Sequence, residues 1–397
     1  MPKFLYISLM RLPTEKAHGL QIMQNCEAFA AAGCDVTLWV ARRWNTRELR
    51  KVKDPFTYYG VEPNFAIRHI RCIDLFPLFP PESSGARLAF YLLQFSYALA
   101  SLVLLLFSRA DIYYSRDELM LALLARLKPG RSLVYEAHQF APGRLGGALQ
   151  RYVASRVGSV VAITGLLRQD LITQRGADSA RAIVAHDGIR RGRFVHLPTR
   201  AEARRALGWH ADAFIVGYVG RLHTLGMDKG VGSLVDALAM LEGAQLALVG
   251  GPDELALQLR QRWLAHSLPA DRFHVVGQAP PADVPLYLRA FDVCAMPFPA
   301  NSHFARYASP LKLFEYMAAG RAIVASDLPA WSDVVAHEET ALLLPPDDVA
   351  AWADAIKRLQ GDVDLRRRLG EAARESALAH YTWRARAERI LEHIGSA

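Results

Sequence analysis

Short apolar runs alternate with longer amphipathic segments along the whole of this 397-residue chain. The apolar runs predict buried β-strands, and the segments between them show the spacing of amphipathic helices. This alternation favours an α/β fold with parallel sheets. The predicted strands are residues 3–9, 35–41, 66–72, 111–116, 132–138, 160–164 and 182–186 in the first half, and 214–220, 244–251, 273–278, 292–298, 322–327 and 340–345 in the second.

Two successive arrays of strands and helices predict two Rossmann-like domains facing a cleft, since the chain is too long for one typical core. The predicted linker is the arginine-rich segment 188–212, and residues 349–394 are predicted to be helical. Parallel sheets bind ligands beyond the carboxyl ends of their strands. His138, Gly220–Arg221 and Ser309–Pro310 all fall at such ends.

The segment SPLKLFEYMAAGRAIVASD, residues 309–327, predicts a helix with an anion-binding N-terminus followed by a buried strand. Ser309 is a preferred N-cap, and Pro310 suits the first helical position. Free N–H groups and the helix dipole attract phosphate there. Glu315 lies further along the helix and leans back toward the same end, where its carboxylate can accept hydrogen bonds from a ribose diol.

The segment FIVGYVGRLHTLGMDKG, residues 214–230, supplies candidate cations. It predicts a buried strand that ends in glycine, a loop carrying Arg221 and Lys229, and then a helix. Arg offers a rigid fork of donors and Lys a compact charge, and a diphosphate accepts both. Together with the helix N-terminus at 309–312, these two cations could hold a diphosphate without a metal.

Composition narrows the class and the compartment. Half the residues are apolar, and the four cysteines have no metal-ligand spacing, so we expect a globular protein with free thiols in a reducing compartment. The N-terminus predicts a first strand rather than a signal peptide. A cytoplasmic location follows as an expectation.

The formal charge of +8 is concentrated in the first half, where residues 1–195 hold 26 Lys and Arg against 15 Asp and Glu. A basic face suits anionic lipid headgroups or a pyrophosphate-linked substrate. Nucleic acid is not an expected partner, because no helix-turn-helix, zinc finger or RNP motif is visible.

Residues 88–107 form an uncharged stretch that is long enough to span a bilayer. A spanning helix here would separate the strand at 111–116 from the earlier strands of the same sheet. We therefore predict a core helix, with a helix lying partly in the membrane surface as the alternative. The second interpretation would place the protein peripherally at the inner face of the membrane.

The motifs together resemble the family-4 glycosyltransferases, which are retaining enzymes of the GT-B fold. The resemblance covers nearly the whole chain, and the SPLKLFEYMAAG segment is similar to one branch of the family. Its markers are residues 17–21 (AHGLQ), 135–138 (YEAH), 220–230 (GRL followed by DKG), 248–252 (LVGGP), 292–297 (DVCAMP), 314–320 (FEYMAAG) and 381–383 (YTW).

This resemblance implies an acceptor-side domain at 1–190, a sugar-nucleotide-binding domain at 191–375 and a C-terminal helix at 376–397 that returns to the first domain. It implies that His138, Arg221 and Lys229 act in catalysis, with His138 facing the donor sugar. The base would lie near Val276 and Gly277. The donor-binding residues that it implies are Gly19, Arg221, Lys229, Gly250, Val276, Gly277, Ser309, Pro310, Leu311, Lys312 and Glu315.

The implied reaction moves a sugar from a nucleotide-sugar, with UDP as the default, to a hydroxyl acceptor in surface polysaccharide, lipopolysaccharide or other glycoconjugate assembly. A lipid-linked acceptor and an anionic membrane surface are expected partners, and a soluble acceptor is the alternative. We predict no metal and no cofactor, because the only D-x-D, Asp362 and Asp364, lies in a charged helical stretch.

One departure from the family pattern keeps other functions open. Tyr307 stands where many members carry the first of two glutamates, and Lys312 could supply a polar contact instead. A sugar-nucleotide epimerase of the same fold, or a catalytically silent nucleotide-binding protein, remain alternatives. Product analysis separates the three.

Overall fold

A computed structural model describes residues 1–80, 83–224 and 227–396. The strands are β1 (Lys3–Ser8), β2 (Asp35–Arg42), β3 (Ala66–Arg71), β4 (Ile112–Ser115), β5 (Leu133–Ala137), β6 (Ser159–Ala162), β7 (Ala182–Val184), β8 (Phe214–Val219), β9 (His223–Thr224), β10 (Met227–Asp228), β11 (Ala244–Val249), β12 (Phe273–Gly277), β13 (Val293–Met296), β14 (Ala322–Ser326) and β15 (Leu342–Leu344).

The α-helices are α1 (Ala17–Ala31), α2 (Pro55–Tyr59), α3 (Ser84–Leu106), α4 (Glu118–Leu124), α5 (Gly143–Ala154), α6 (Gly165–Arg175), α7 (Gly192–Val195), α8 (Arg200–Leu207), α9 (Val231–Ala239), α10 (Asp253–Ala265), α11 (Val284–Ala290), α12 (Ser302–Arg306), α13 (Leu311–Ala318), α14 (Val349–Gly361), α15 (Val363–His380) and α16 (Trp383–Ser396). The chain divides into a first unit, Met1–His186 with Trp383–Ala397, and a second unit, Asp187–Thr382.

The first unit contains a seven-stranded parallel sheet in the order β3-β2-β1-β4-β5-β6-β7. Its strands are mostly buried and apolar, as expected where helices cover both faces. Aromatic rings of Phe4, Tyr6, Phe29 and Tyr114 pack together under β1 and α1, with centroid separations of 4.3–5.5 Å. The parallel-sheet prediction is confirmed for this unit.

The apolar stretch at 88–107 lies in α3, which connects two strands of that one sheet, β3 and β4. One face of the helix packs against the unit, burying Leu93, Tyr97 and Leu105. The opposite face is apolar yet exposed: Leu88, Tyr91, Phe95, Leu99 and Leu106 are each more than half exposed. The core-helix prediction therefore holds for one face only. By length and composition the helix could cross a membrane.

The second unit contains a six-stranded parallel sheet in the order β12-β11-β8-β13-β14-β15. Its core is closed by large buried side chains, including Trp263, Trp331, Tyr218 and Tyr316. A separate two-stranded antiparallel ribbon, β9 with β10, follows β8. Sequence analysis missed this ribbon because two-residue strands leave no periodic signal.

Two predicted boundaries differ from the structure. The predicted linker, 188–212, contains α7 and α8, and Arg204 of α8 is buried in a hydrogen-bonded ion pair with Asp292 in the second unit. The return to the first unit begins at Trp383 rather than at 376, since α15 packs against α13 and β14 and so belongs to the second unit up to its end. The last helix, α16, packs against α1.

Candidate functional site

Three glycines line the carboxyl edge of the second sheet. Gly220, Gly250 and Gly277 end the adjacent strands β8, β11 and β12, each with a positive φ, of 116°, 135° and 72°. The Gly220 N–H donates to the Val249 carbonyl at 2.7 Å, and the Gly250 N–H donates to the Gly277 carbonyl at 2.7 Å. A side chain at Gly250 would collide with the Gly220 carbonyl. This edge is therefore bare backbone that a ligand can approach closely.

The first turn of α13 lies at the same edge, because the Nζ of Lys312 is 3.6 Å from the centre of the Tyr218 ring in β8 and would be 3.3 Å from a Cβ at Gly220. The Val219 N–H at the end of β8 also donates to the Tyr316 hydroxyl further along the helix, at 2.8 Å. The predicted cap is wrong by one residue. Pro310 is the N-cap and the helix begins at Leu311, with no side chain capping it. The Ser309 hydroxyl instead accepts from the Asp187 N–H at 3.2 Å. The first N–H groups of the helix are thus left for solvent or an anion.

Lys312 is a buried cation in the first turn of α13. Its Nζ lies 3.6 Å from the centre of the Tyr218 ring and 5.2 Å from that of Phe298. No described residue forms a hydrogen bond with this Nζ. Burial, with a further contribution from Lys229, lowers the pKa of Lys312 well below its usual range. The two aromatic faces and the nearby Glu315 carboxyl favour the charged form of Lys312 but do not offset the cost of its burial.

Lys229 and Arg221 add two further positive charges. Lys229 follows the ribbon, with its Nζ 5.3 Å from the centre of the Phe298 ring. Burial, and then the nearby Arg221 charge, lower the pKa of Lys229 to about 8. Arg221 follows Gly220 and is exposed. Within the described residues neither side chain forms a hydrogen bond or an ion pair. Three basic side chains thus meet at one edge, and none of them forms an ion pair within the part of the chain that the structure describes.

Glu315 lies one turn into α13, beyond Lys312. Burial raises the pKa of its carboxyl to about 7, against the opposing effects of Arg193 and Lys312. The carboxyl is therefore partly protonated at neutral pH. It is a hydrogen-bonding group close to the cations, as its predicted contact with a diol requires.

Val276 and Gly277 end β12, the outer strand of the sheet, and both are half-buried. Gly277 lies next to Gly250 through the backbone hydrogen bond described above. The structure thus places the predicted residues of the second unit along one edge: Arg221, Lys229, Gly250, Val276, Gly277, Ser309, Pro310, Leu311, Lys312 and Glu315.

His138 belongs to the first unit, where it contacts a buried carboxylate. Its Nε2 lies 3.2 Å from Oε1 of Glu136, which is wholly buried. The same carboxylate accepts from Arg386 at 2.5 Å, from Arg116 at 2.9 Å and from the Tyr6 hydroxyl at 2.8 Å. Burial opposes ionisation, but Arg116, Arg386 and His138 outweigh it and hold the pKa of Glu136 well below its usual value. His138 thus lies within ion-pairing distance of a buried, ionised carboxylate.

Glu136, Arg116 and Arg386 were not predicted from the sequence. A signal existed for Glu136, because alternate residues of a strand point to the same face and Glu136 stands two positions before His138. No local pattern pointed to Arg386, since it reaches Glu136 from 250 positions away. It lies on the returning helix α16, so this contact exists only in the folded unit.

Gly19 lies in the first turn of α1 rather than in a loop. A side chain at this position would come within 2.6 Å of the Tyr59 hydroxyl and would also collide with Thr14. Tyr59 donates to the Thr14 carbonyl at 2.7 Å and accepts from the Thr14 N–H at 2.6 Å. Close packing against this pair is a sufficient reason for glycine, so its predicted contact with the donor stays a prediction.

Across residues 1–80, 83–224 and 227–396, no group of three His, Cys, Asp or Glu side chains could hold a metal ion. The D-x-D residues have other roles. Asp362 caps α15 through the Leu365 N–H, and Asp364 pairs with Arg367. Whether the protein needs a metal stays a prediction.

The two units together define a GT-B fold. Sucrose-phosphate synthase from Thermosynechococcus elongatus matches over 100% of this chain and 99% of its own, with a TM-score of 0.78 and 23% identity. Anabaena Alr3699/HepE in complex with UDP-glucose matches over 100% of both chains, with a TM-score of 0.73 and 18% identity. At these identities the likeness shows the fold alone.

Residues 213–362 match the family model described as Glycosyl transferases group 1. The matched residues lie within the second unit, and the glycine edge, Arg221, Lys229 and α13 all lie among them. The D-inositol 3-phosphate glycosyltransferase of Jonesia denitrificans is 30% identical over 272 residues, 62% of this chain and 59% of that protein. The chain thus spans less than two thirds of the length of this relative.

Proposed function

We propose that this protein is a retaining glycosyltransferase that moves a sugar from a UDP-sugar to a hydroxyl acceptor. The observation that carries the proposal is the group of three basic side chains, Arg221, Lys229 and Lys312, at the carboxyl edge of the second sheet, which form no ion pair among the described residues. It lies beside an uncapped helix N-terminus, within the matched domain. A diphosphate supplies the missing anion. The solved Anabaena protein of this fold, in complex with UDP-glucose, supports the choice of donor.

The proposed mechanism stabilises the leaving group. The bond between the anomeric carbon and the β-phosphate oxygen breaks, and its electron pair stays on the phosphate. Arg221, Lys229, Lys312 and the first N–H groups of α13 offset the charge that develops there, which is where electrostatic catalysis has its largest effect. The acceptor oxygen bonds to the anomeric carbon from the face that the phosphate leaves, and its proton passes to the departing phosphate oxygen.

Glu315 is assigned to the ribose of the donor. A carboxylate accepts hydrogen bonds from both hydroxyls of a diol. Glu315 lies one helical turn beyond Lys312, and in a nucleotide the ribose is likewise adjacent to the diphosphate. The base is assigned to the half-buried end of β12 at Val276 and Gly277. These assignments, like the sugar-facing role of His138, follow from the family resemblance.

The acceptor is assigned to the first unit. A cavity of about 620 Å³ opens beside the carboxyl ends of β1–β3, and its lining includes Arg50, Arg11, Asp74, Trp44 and the apolar segment 75–78. Arg11 also pairs with Glu15 at the surface, at 2.6 Å. That segment contacts α3, whose other face is apolar and exposed. Arginines next to exposed apolar surface suit a phosphate-bearing lipid at an anionic membrane. We therefore infer a lipid-linked acceptor, within surface polysaccharide, lipopolysaccharide or other glycoconjugate assembly.

The test is a calorimetric titration with UDP, GDP and dTDP, followed by product analysis with the matching nucleotide-sugars. UDP is expected to bind, and Arg221→Ala is expected to weaken it about tenfold or more, since a charge-assisted hydrogen bond contributes about 1.5–3 kcal/mol. Arg205→Ala, an exposed arginine of α8, is the matched control. Full turnover in Arg221→Ala would overturn the assignment. An epimerised sugar, or binding without transfer to any acceptor, would replace the proposal with one of its alternatives.

Membrane association has its own test. The protein is expected to sediment with vesicles that contain anionic phosphatidylglycerol and less with neutral phosphatidylcholine vesicles. Phe95→Ser with Leu99→Ser on the exposed face of α3 should reduce sedimentation. Leu257→Ser, also exposed but in the second unit, should not. Equal recovery of all variants with both kinds of vesicle would exclude α3 as the contact.

A further inference from the structure

A second group of cations lies in the second unit, at the edge opposite the glycines. Six arginines surround a cavity of about 410 Å³. Arg321 immediately precedes β14, and Asp292, which also lines the cavity, immediately precedes β13. The cavity is therefore at the amino ends of the parallel strands, and we call it the arginine cavity. The arginines are Arg200, Arg289, Arg321, Arg366, Arg367 and Arg374.

The charge of the arginine cavity is not balanced by its own residues. Two acidic side chains line it, Asp292 and Glu371. Asp292 is already shared between Arg200 at 2.5 Å and Arg204 at 2.6 Å. Among the described residues Glu371 makes no ion pair. Six guanidinium groups therefore face two carboxylates around one cavity, and a third carboxylate, Asp364, pairs with Arg367 at 3.0 Å.

Several of these arginines also support the fold, but through neutral partners. Arg289 donates to the Pro198 carbonyl at 2.8 Å and to the Ala319 carbonyl at 3.0 Å. Arg374 donates to the Ala318 and Phe194 carbonyls. Carbonyl oxygens satisfy hydrogen bonds and favour cations at helix ends, but they carry no net charge. The positive potential in the cavity remains.

Arg321 is the least satisfied of the group. Its Nη1 lies a long 3.4 Å from the Phe291 carbonyl, and its buried Nε has no hydrogen-bond partner among the described residues. Burial, and then the nearby Arg289 charge, lower the pKa of Arg321 to about 10. A buried guanidinium donor without an acceptor carries a desolvation cost that a bound anion would remove.

We propose that the arginine cavity binds a phosphorylated small molecule, at a site separate from that of the donor. Guanidinium forks match phosphate oxygens in bidentate pairs, and a group with two or more negative charges offsets the excess of arginines. The volume lies within the usual range for small ligands and would hold a diphosphate or a sugar phosphate. Arg321 and Arg367 are the residues assigned to the phosphate.

Inorganic pyrophosphate is the probe, titrated calorimetrically into the full chain at about 0.15 M salt, where exposed charges are screened. Saturating UDP is present so that the site at the glycine edge is filled. One further pyrophosphate site is expected. Arg321→Gln and Arg367→Gln should each weaken it about tenfold or more. Arg368→Gln, on the same helix but bonded to the Glu338 carbonyl outside the cavity, is the matched control.

A repeat in Lys312→Met separates the two sites. Pyrophosphate binding to the arginine cavity should be unchanged in that variant, whether or not UDP proves to be the donor nucleotide. Arg321→Lys keeps the positive charge, and thermal unfolding of each variant is the second measurement. Together they show whether a loss of pyrophosphate affinity comes from the lost contact or from a destabilised fold. Absence of a second site at this salt concentration, or full binding in both Gln variants, would overturn the proposal.

Discussion

The two units each bury ionisable groups near a site that we assign to function, but they treat them in opposite ways. In the first unit, Glu136 is enclosed by Arg116, Arg386, Tyr6 and His138 within hydrogen-bonding distance. In the second, Lys312 has aromatic faces and no hydrogen-bonding partner among the described residues. A charge that the fold neutralises holds the fold together, whereas a charge left without an anion is available to a ligand.

The largest expected effect is the loss of stability when the cluster around Glu136 loses one of its arginines. Arg386→Met leaves Glu136 with one fewer cation in a fully buried setting and should lower the free energy of unfolding by about 3–5 kcal/mol. Denaturant unfolding measures it. Arg384→Ala is the control on the same helix, because this arginine is exposed and pairs with Glu388 at the surface, where a loss of at most about 1 kcal/mol is expected. Equal losses in the two variants would contradict the contrast between the units.

Lys312→Met tests the other side of the comparison. The substitution replaces a buried amine with an apolar side chain, so the free energy of unfolding should stay the same or rise. UDP affinity should fall about tenfold or more. Calorimetry and denaturant unfolding on the same sample give both numbers. If stability fell and UDP binding were untouched, Lys312 would be a structural residue.

Gly19→Ala separates packing from ligand contact in the first unit. The added methyl group meets Thr14 and Tyr59, so a loss of about 1–3 kcal/mol in stability is expected with UDP affinity unchanged. Gly192→Ala, where a side chain would meet nothing within 4 Å, is the matched control. Lost UDP affinity in a variant of normal stability would instead support the predicted donor contact at Gly19.

The smallest expected effect is the pH dependence of UDP binding. Lys229 has a pKa of about 8 in the free protein, and a bound phosphate would raise it. Binding should therefore take up protons near pH 8 and weaken as pH rises above that value, by up to about tenfold per pH unit for one proton. Calorimetry in buffers of different ionisation enthalpy measures the uptake.

Lys229→Arg should remove the proton uptake assigned to Lys229, because arginine keeps its charge across this range. An unchanged pH profile in Lys229→Arg would show that another group titrates.

The strands were predictable because a buried parallel strand is a nearly continuous apolar run. All thirteen predicted strands are present, each within a few residues of its predicted bounds. The start of α13 was less predictable, since Ser309 has the chemistry of a cap and yet the Asp187 N–H uses its hydroxyl. The Ser309 hydroxyl oxygen could accept either from an N–H of the helix that follows it or from the distant Asp187 N–H. The local sequence does not show which of the two bonds forms.

The grouping of the residues that we assign to the donor was predictable for a different reason. Gly220, Arg221, Gly250 and Ser309 all follow strands or precede a helix, and parallel topology gathers such positions at one edge. The sequence could not show which charged side chains form ion pairs in the folded protein. Glu136 and Lys312 are both single ionisable residues in apolar surroundings, and only the folded partners distinguish them.

The return of α16 to the first unit has a consequence for biosynthesis. Residues 1–186 are translated before the whole second unit, Asp187–Thr382, and Arg386 only after it. Until then the nascent first unit holds Glu136 against Arg116 without its second guanidinium, and the surface of α1 that receives α16 is uncovered. Complete assembly of the first unit therefore waits until the second unit has been translated, and a polypeptide stopped after Thr382 would lack both Arg386 and α16.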